Sequence, residues 1–496
     1  MVEKILCRLS PVLIIIFFLS CTGQKAVVNK RFGPEELKKD FQLFRNILEE
    51  SHPGLYWFTP KEEMDQYFSQ IYSELSDSLT EREFRTRLMY LAEKIKCGHT
   101  SINFSKEYTN YLNTAFEKTF PVSIYFWKDS AMLWSNLNRN DSILTRGSLV
   151  WELNNKPVYE IREEIFEYLV GDGYSLSGKY QSINNGFSGM WKNIYGLIDS
   201  VQIKFSDTSN ILHSSWLHPF DPSKDSAILK RREQRERPDR KTRLRAKLER
   251  RRNLQEDTAS KSAYMLLSSF SRGYKLRKFF RASFRHLEKQ DTRHLIIDLR
   301  NNGGGEAGNA VGLLRYISEK PFKLADSLYA IKKGSYYSRH LKNYWAYWLM
   351  MNIVTHKKDD GKYHFGYFER KIFKPVKKHH FSGNVYLLTG GNTFSAASIF
   401  AKKLKGQANV KIIGEETGGG AYGNSAWMIP DGKLPNTGIR FRLPKFRMVM
   451  DAEEVGNGRG VMPDIEVKPT AEAIKKGNDL KLEKAKQIIQ EKNRNK

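Results

Sequence analysis

Cysteine is nearly absent from this chain: three occur in 496 residues, at positions 7, 21 and 97. Two of them lie in the first 21 residues, so Cys97 is the one thiol left for the body of the chain, and one thiol makes no internal disulfide. Packing must supply the stability, and a chain of this length can bury enough surface to do so. The apolar run at residues 11–19 is far too short to span a bilayer as a helix. Metal-binding patterns are missing too. There is no H-E-x-x-H and no paired cysteine motif, and neither His52 nor His379-His380 has ligand spacing, so no metal is expected. No G-x-x-x-x-G-K-[ST] loop occurs, and no cofactor is implied. Acidic residues are scarce against basic ones, 55 to 82, which leaves a net charge of +27. Much of the excess sits in residues 230–252, where thirteen Lys or Arg face four Asp or Glu, and such a block reads as a solvated insert. No finger or RNP-type module accompanies the charge, so a nucleic-acid partner is not expected.

The N-terminus is more informative. Lys4 and Arg8 precede the short apolar run, and Phe18-Leu19-Ser20-Cys21 ends it in the pattern of a bacterial lipobox. A charged start, a short apolar stretch and a small residue before cysteine describe a secretory signal over 1–20. Cys21 would become the lipidated N-terminus, tethered through 21–33 and anchored to a membrane of the cell envelope. Three helical patterns follow, making 34–98 a helical N-terminal domain. Leu37, Phe41, Phe44 and Leu48 share one face, Thr59-Pro60 with Glu62 and Thr80 with Glu83 read as helix starts, and Phe84, Leu88 and Leu91 form another apolar stripe. Tyr and Trp residues between 336 and 348 are expected to pack as a cap helix.

Short strands begin near His99. The run Gly147-Ser148-Leu149-Val150, with Leu153-Asn154-Asn155-Lys156-Pro157-Val158, resembles the second half of a PDZ domain, which makes 99–205 a PDZ-like domain. Residues 206–260 read as a basic insert or linker. From 261 to 470 apolar strands break into glycine loops: HLIIDLRNNGGG, NVYLLTGGNTFSAASIFAKKL and VKIIGEETGGG. Strands alternating with helices argue for an α/β core whose ligands sit beyond the strand C-termini. Residues 471–496, rich in Lys and Glu, read as a solvated tail helix. Within the second loop, Ser395 stands where a polar turn becomes an apolar helix. Either it caps that helix, or it is a nucleophile beside free backbone N–H groups.

Taken together, Asp298-Leu299-Arg300-Asn301-Asn302-Gly303-Gly304-Gly305, the Ser-Ala helix start about ninety residues on, and Gly414-Glu415-Glu416-Thr417-Gly418-Gly419 resemble the C-terminal-processing (tail-specific) serine peptidases. Gly458-Arg459-Gly460-Val461-Met462-Pro463-Asp464 and ESHPGLYWF fit the same family, the latter its lipoprotein members. The resemblance implies a crotonase/ClpP-like α/β catalytic core and a protein or peptide substrate. It makes Ser395 the nucleophile, with the N–H groups of Ala396 and Gly304 as the oxyanion hole. The processing branch places a lysine base where this chain has Gly420. The tricorn-core branch uses a histidine in a Gly-His-Thr-like turn, and Cys97-Gly98-His99-Thr100 supplies one, which assigns the base to His99. A late carboxylate is implied near the Gly-x-x-Pro-Asp segment; Asp451, Glu453 and Glu454 are the candidates, with Glu453 preferred. A histidine base with its ordinary pKa of about 6.5 would give activity one ionisation near neutrality. The alternative is a weak or inactive binding protein for peptides or hydrophobic ligands on the same scaffold. Oligomeric state is not legible.

Overall fold

The computed structural model describes residues 27–128, 130–234, 238–452 and 457–495. The signal segment, Cys21, Glu453 and Glu454 lie outside the described residues. The fold is mixed α/β. Its centre is a six-stranded sheet in the order Arg252–Asp257, Ser262–Leu267, His294–Asp298, Asn384–Thr389, Val410–Gly414 and Ile465–Glu466. The first pair is antiparallel and every other neighbour is parallel. Parallel neighbours need crossovers, and the helices Leu276–Lys289, Ala307–Ile317 and Ala396–Leu404 supply them. Their apolar stripes bury Phe280, Phe284, Leu314 and Phe400 against Met265, Leu295, Ile297 and Leu387 of the sheet. All three glycine-rich loops consequently leave the same sheet edge, at the C-terminal ends of adjacent parallel strands.

The helices Pro34–Ser51, Lys61–Ser73 and Glu81–Lys94 pack around Phe41, Phe44, Phe68, Phe84 and Leu88. That core is completed from far along the chain by Leu434, Ile439, Phe441 and Leu443. The hairpin carrying them, Asp431–Lys433 with Arg440–Arg442, pairs with Ser101–Asn103 just after His99. Thr80 caps its helix through a reciprocal box with Glu83. Thr59 makes no cap, because its hydroxyl donates to Lys94 O at 2.5 Å and the Lys61–Ser73 helix starts behind Pro60. A second, antiparallel sheet holds Val122–Trp127, Ser130–Asn136, Leu149–Leu153, Val201–Ser206 and Leu212–Leu217, with the helices Val158–Phe166 and Ser177–Ile194 against it.

Three segments differ from the reading of the sequence. Residues 206–260 are not a loop: they finish the second sheet, form the helices Ser226–Glu233 and Arg240–Arg251, neither with a buried residue, and start the central sheet. The tail helix Leu480–Arg494 is not simply solvated, because Ala485 and Ile489 are buried against Ile296, Tyr386 and Ile413. The helix Tyr344–Val354 buries only Met351, so its tryptophans do not form a packed cap.

Candidate active site

Ser395 sits at the N-cap position of the Ala396–Leu404 helix with φ +54° and ψ −122°. A non-glycine residue held there carries strain of about 1–3 kcal/mol, which the surrounding structure must maintain. Its hydroxyl makes no capping hydrogen bond. Instead Ser395 Oγ lies 3.0 Å from Nε2 of His99, across 296 residues of sequence. Two hydrogen bonds hold the serine turn from behind: Phe394 N–H donates to Asn302 O at 3.0 Å, and Thr393 Oγ1 donates to Leu299 O at 2.9 Å. If strain is what sets this geometry, Ser395→Gly will unfold at higher denaturant than Ser395→Ala, by about 1 kcal/mol, although both lack the hydroxyl. Equal or lower stability of the glycine variant would remove the strain claim.

His99 enters from a turn after the Glu81–Lys94 helix, in which Lys96 has φ +53°. The turn is clamped on both sides. Gly98 N–H donates to Asp172 Oδ1 at 2.7 Å, and Thr100 Oγ1 meets His52 Nε2 at 2.8 Å while Gly54 N–H donates to His52 Nδ1. Phe394 covers the imidazole, ring centroids 4.7 Å apart. Burial, and then Arg442, push the His99 pKa down to about 3. The ring is thus neutral, and Nε2 can accept the Ser395 proton. Accepting there requires the proton on Nδ1, a buried atom with no partner among the described residues. Of the candidate carboxylates, Asp451 lies 3.2 Å from Lys402 Nζ.

The oxyanion side differs from expectation at one atom. Ala396 N–H, the first of the helix, is unpartnered among the described residues. The Gly304 N–H is not free, because it donates to Asn302 Oδ1 at 2.9 Å. Gly304 is needed sterically instead: with φ +90°, a Cβ there would stand 2.7 Å from Ser395 Cβ and 2.9 Å from Ala396 N. Gly305 lines the cavity before Ser395, and its N–H has no partner among the described residues. The absent lysine also has a physical reason. A Cβ on Gly420 would come within 2.6 Å of the Tyr422 ring and 2.8 Å of Gly423 O, so no side chain fits there.

Asp172, which composition and spacing did not single out, bridges the two regions. It is buried, takes the Gly98 amide and, at 3.4 Å, that of Gly420. Burial raises its pKa to about 6. Ligand atoms of Cys97, His99 and Asp172 lie within 4.8 Å of one another. The buried Arg447 cation acts on Cys97 and Asp172, and burial pushes the thiol up to about 11, so the cluster is ill-suited to a dication. In front of Ser395 opens a cavity of about 570 Å³ with a mostly apolar wall that includes Met350, Phe365, Trp427 and Met428.

A serine, a neutral histidine and a helix N-terminus at the C-terminal edge of parallel strands form the apparatus of acyl transfer. Residues 261–467 match the sequence model of Peptidase family S41. Over that segment the chain is similar to the S41 peptidases. It is a peptidase. Solved structures extend the likeness of fold beyond that segment. Mature CPAF complexed with lactacystin is similar over 92% of this chain and 98% of its own, with a TM-score of 0.61 at 13% identity. A CPAF mutant gives 0.63 at 12% identity, over 92% of this chain and 96% of its own. At such identity the likeness is one of fold. No curated protein sequence matches the chain.

Proposed function

We propose that the protein is a lipid-anchored serine endopeptidase of the cell envelope that works through a Ser–His acyl-enzyme. The observation that carries the reading is the 3.0 Å contact from Ser395 Oγ to a buried, neutral His99 Nε2 at a helix N-terminus. Ser395 Oγ bonds to the substrate carbonyl carbon as its proton passes to Nε2, and the carbonyl oxygen becomes an oxyanion facing Ala396 N–H and the helix dipole. Gly305 N–H is the second donor in this scheme, in place of Gly304. The C–N bond then breaks as His99 returns the proton to the leaving amine, and water, deprotonated by the same ring, releases the acyl group. Glu453 would accept from Nδ1–H and hold the ring in that tautomer. Apolar walls suit a medium or large apolar side chain beside the scissile bond.

A fluorophosphonate probe should label the native chain at Ser395, and label neither Ser395→Ala nor protein already blocked at that serine. An enzyme that cleaves peptides yet never takes the probe at Ser395 would refute the assignment.

The PDZ-like reading of 99–205 falls mainly on the sheet unit from Val122 to Leu217. Its edge strand Val122–Trp127 and the Ser177–Ile194 helix flank a cavity of about 710 Å³. Phe126 N–H and C=O both bond the Asn184 side chain, at 2.7 and 3.0 Å, so a peptide adding as a strand would first displace Asn184. The anchor is tested separately. With Cys21→Ser the protein is expected to lose metabolically incorporated fatty-acid label, and label retained in the variant would remove the lipoprotein claim.

A further inference from the structure

The helix Tyr344–Val354, sequence YWAYWLMMNIV, contains no charged residue. A helix this apolar is ordinarily buried or in lipid. Here Trp345, Trp348, Leu349 and Ile353 are 73%, 50%, 47% and 72% exposed. With exposed Asn352 they occupy positions i, i+3, i+4, i+7 and i+8, which is one continuous face. The opposite side holds Met351 against the core, and Met350 and Val354 reach the cavity before Ser395. The amphipathic order is therefore inverted: the apolar stripe faces out.

Charge flanks the helix along the chain without entering it. Between residues 332 and 378 the chain has twelve Lys or Arg against three Asp or Glu. Arg339 and Lys342 precede the helix and Lys357 follows it, and none of the three forms an ion pair among the described residues. Eleven residues make a helix about 16 Å long, too short to span a bilayer but long enough to lie in its interface. Tryptophan favours that boundary, where its ring is half in hydrocarbon, and basic residues at both ends face anionic head groups.

We propose that this helix docks the peptidase on an anionic lipid surface, with Trp345, Trp348, Leu349 and Ile353 inserted and Arg339, Lys342 and Lys357 on head groups. Docking does not depend on acylation of Cys21. It would place the mouth of the Ser395 cavity close to the membrane plane, since the same helix contributes to both.

The full chain bearing Cys21→Ser is mixed with vesicles of phosphatidylcholine alone, or with roughly one-third phosphatidylglycerol, and sedimented. Brominated lipid reports on insertion by quenching Trp345 and Trp348. The expected result is binding to the anionic vesicles with quenching, and at least a tenfold weaker partition for Trp345→Gln/Ile353→Gln. Both side chains are mostly exposed, so the variant should melt close to its parent, which is checked by circular dichroism. Lys342→Glu/Lys357→Glu should remove the preference for anionic lipid. Three outcomes overturn the proposal: no vesicle binding by the parent chain, binding undiminished in Trp345→Gln/Ile353→Gln, or a Trp345-dependent dimer in vesicle-free solution without lipid binding. The last would make a second copy the occupant of the face. Peptide hydrolysis plays no part in the readout, so the outcome is independent of the serine mechanism.

Discussion

Ser395→Ala and His99→Ala are each expected to lower kcat on an unstructured peptide by roughly four to six orders of magnitude, and the double variant by little more. In the proposed mechanism the two groups act as one unit: the hydroxyl is a poor nucleophile without a proton acceptor 3.0 Å away, and the ring accepts nothing if the hydroxyl is gone. Glu453→Gln should cost less than either, because an orienting group is partly dispensable. The pH profile carries more information than the loss itself. A solvent-exposed histidine would impose an inflection near 6.5, but burial and Arg442 hold His99 at about 3. The base form thus persists far below neutrality, and kcat/KM should stay level from mildly alkaline buffer down to about pH 5. An inflection at 6.5 that disappears in His99→Ala would show a solvated ring. Near wild-type turnover in His99→Ala would sink the mechanism altogether.

Acid stability has its own sign. His52 and His99 both have folded pKa values of about 3 against 6.5 for the free group. Below pH 6.5 the unfolded chain therefore binds more protons at these two sites, and stability falls as pH falls. Asp172 works in the opposite sense between its free value of 3.8 and about 6, where the folded form holds the extra proton. Two groups outweigh one, so the melting temperature should drop between pH 6.5 and 4, and His52→Gln should flatten that drop.

Gly304→Ala is the second large effect. Its Cβ would stand 2.7 Å from Phe394 O and Ser395 Cβ in a backbone conformation of φ +90°. Backbone cannot move aside as a flexible side chain can, so the loop or the serine turn must shift. We expect about 2–4 kcal/mol of lost stability and at least a hundredfold fall in kcat/KM, since shifts of about an ångström at the reacting atoms cost that much. Gly303→Ala is the control: nothing lies within 4 Å of its Cβ, so melting temperature and kcat/KM should barely change. Equal behaviour of the two variants would show that the close approach at Gly304 is not real.

Local pattern was enough for much of the architecture. Helical periodicity placed Leu37, Phe41, Phe44 and Leu48 inside, and the Thr80–Glu83 box marked a helix start, because both depend on neighbours within a turn or two. Strand followed by glycine loop, three times over, implied loops gathered beyond one sheet edge, and Ser395 stood out as a serine at an apolar helix start. Local pattern left open whether that hydroxyl caps the helix or faces another side chain, although the family resemblance paired it with His99. Only the fold decided it, by carrying His99 across 296 residues and setting the serine at φ +54°. Thr59, Gly304 and Asp172 teach the same lesson. Thr59 has the right neighbours for a cap but donates to Lys94 O, Gly304 has a backbone N–H that Asn302 takes, and Asp172 has no motif around it yet ties the His99 turn to the Gly420 loop. The insert at 206–260 and the tail helix went the same way, since their partners are sheet strands remote in sequence. Periodicity and capping are short-range and can be read from the chain. Hydrogen-bond partners, burial and the pKa values that follow from it belong to the packed molecule, where Ser395 and His99 first become neighbours.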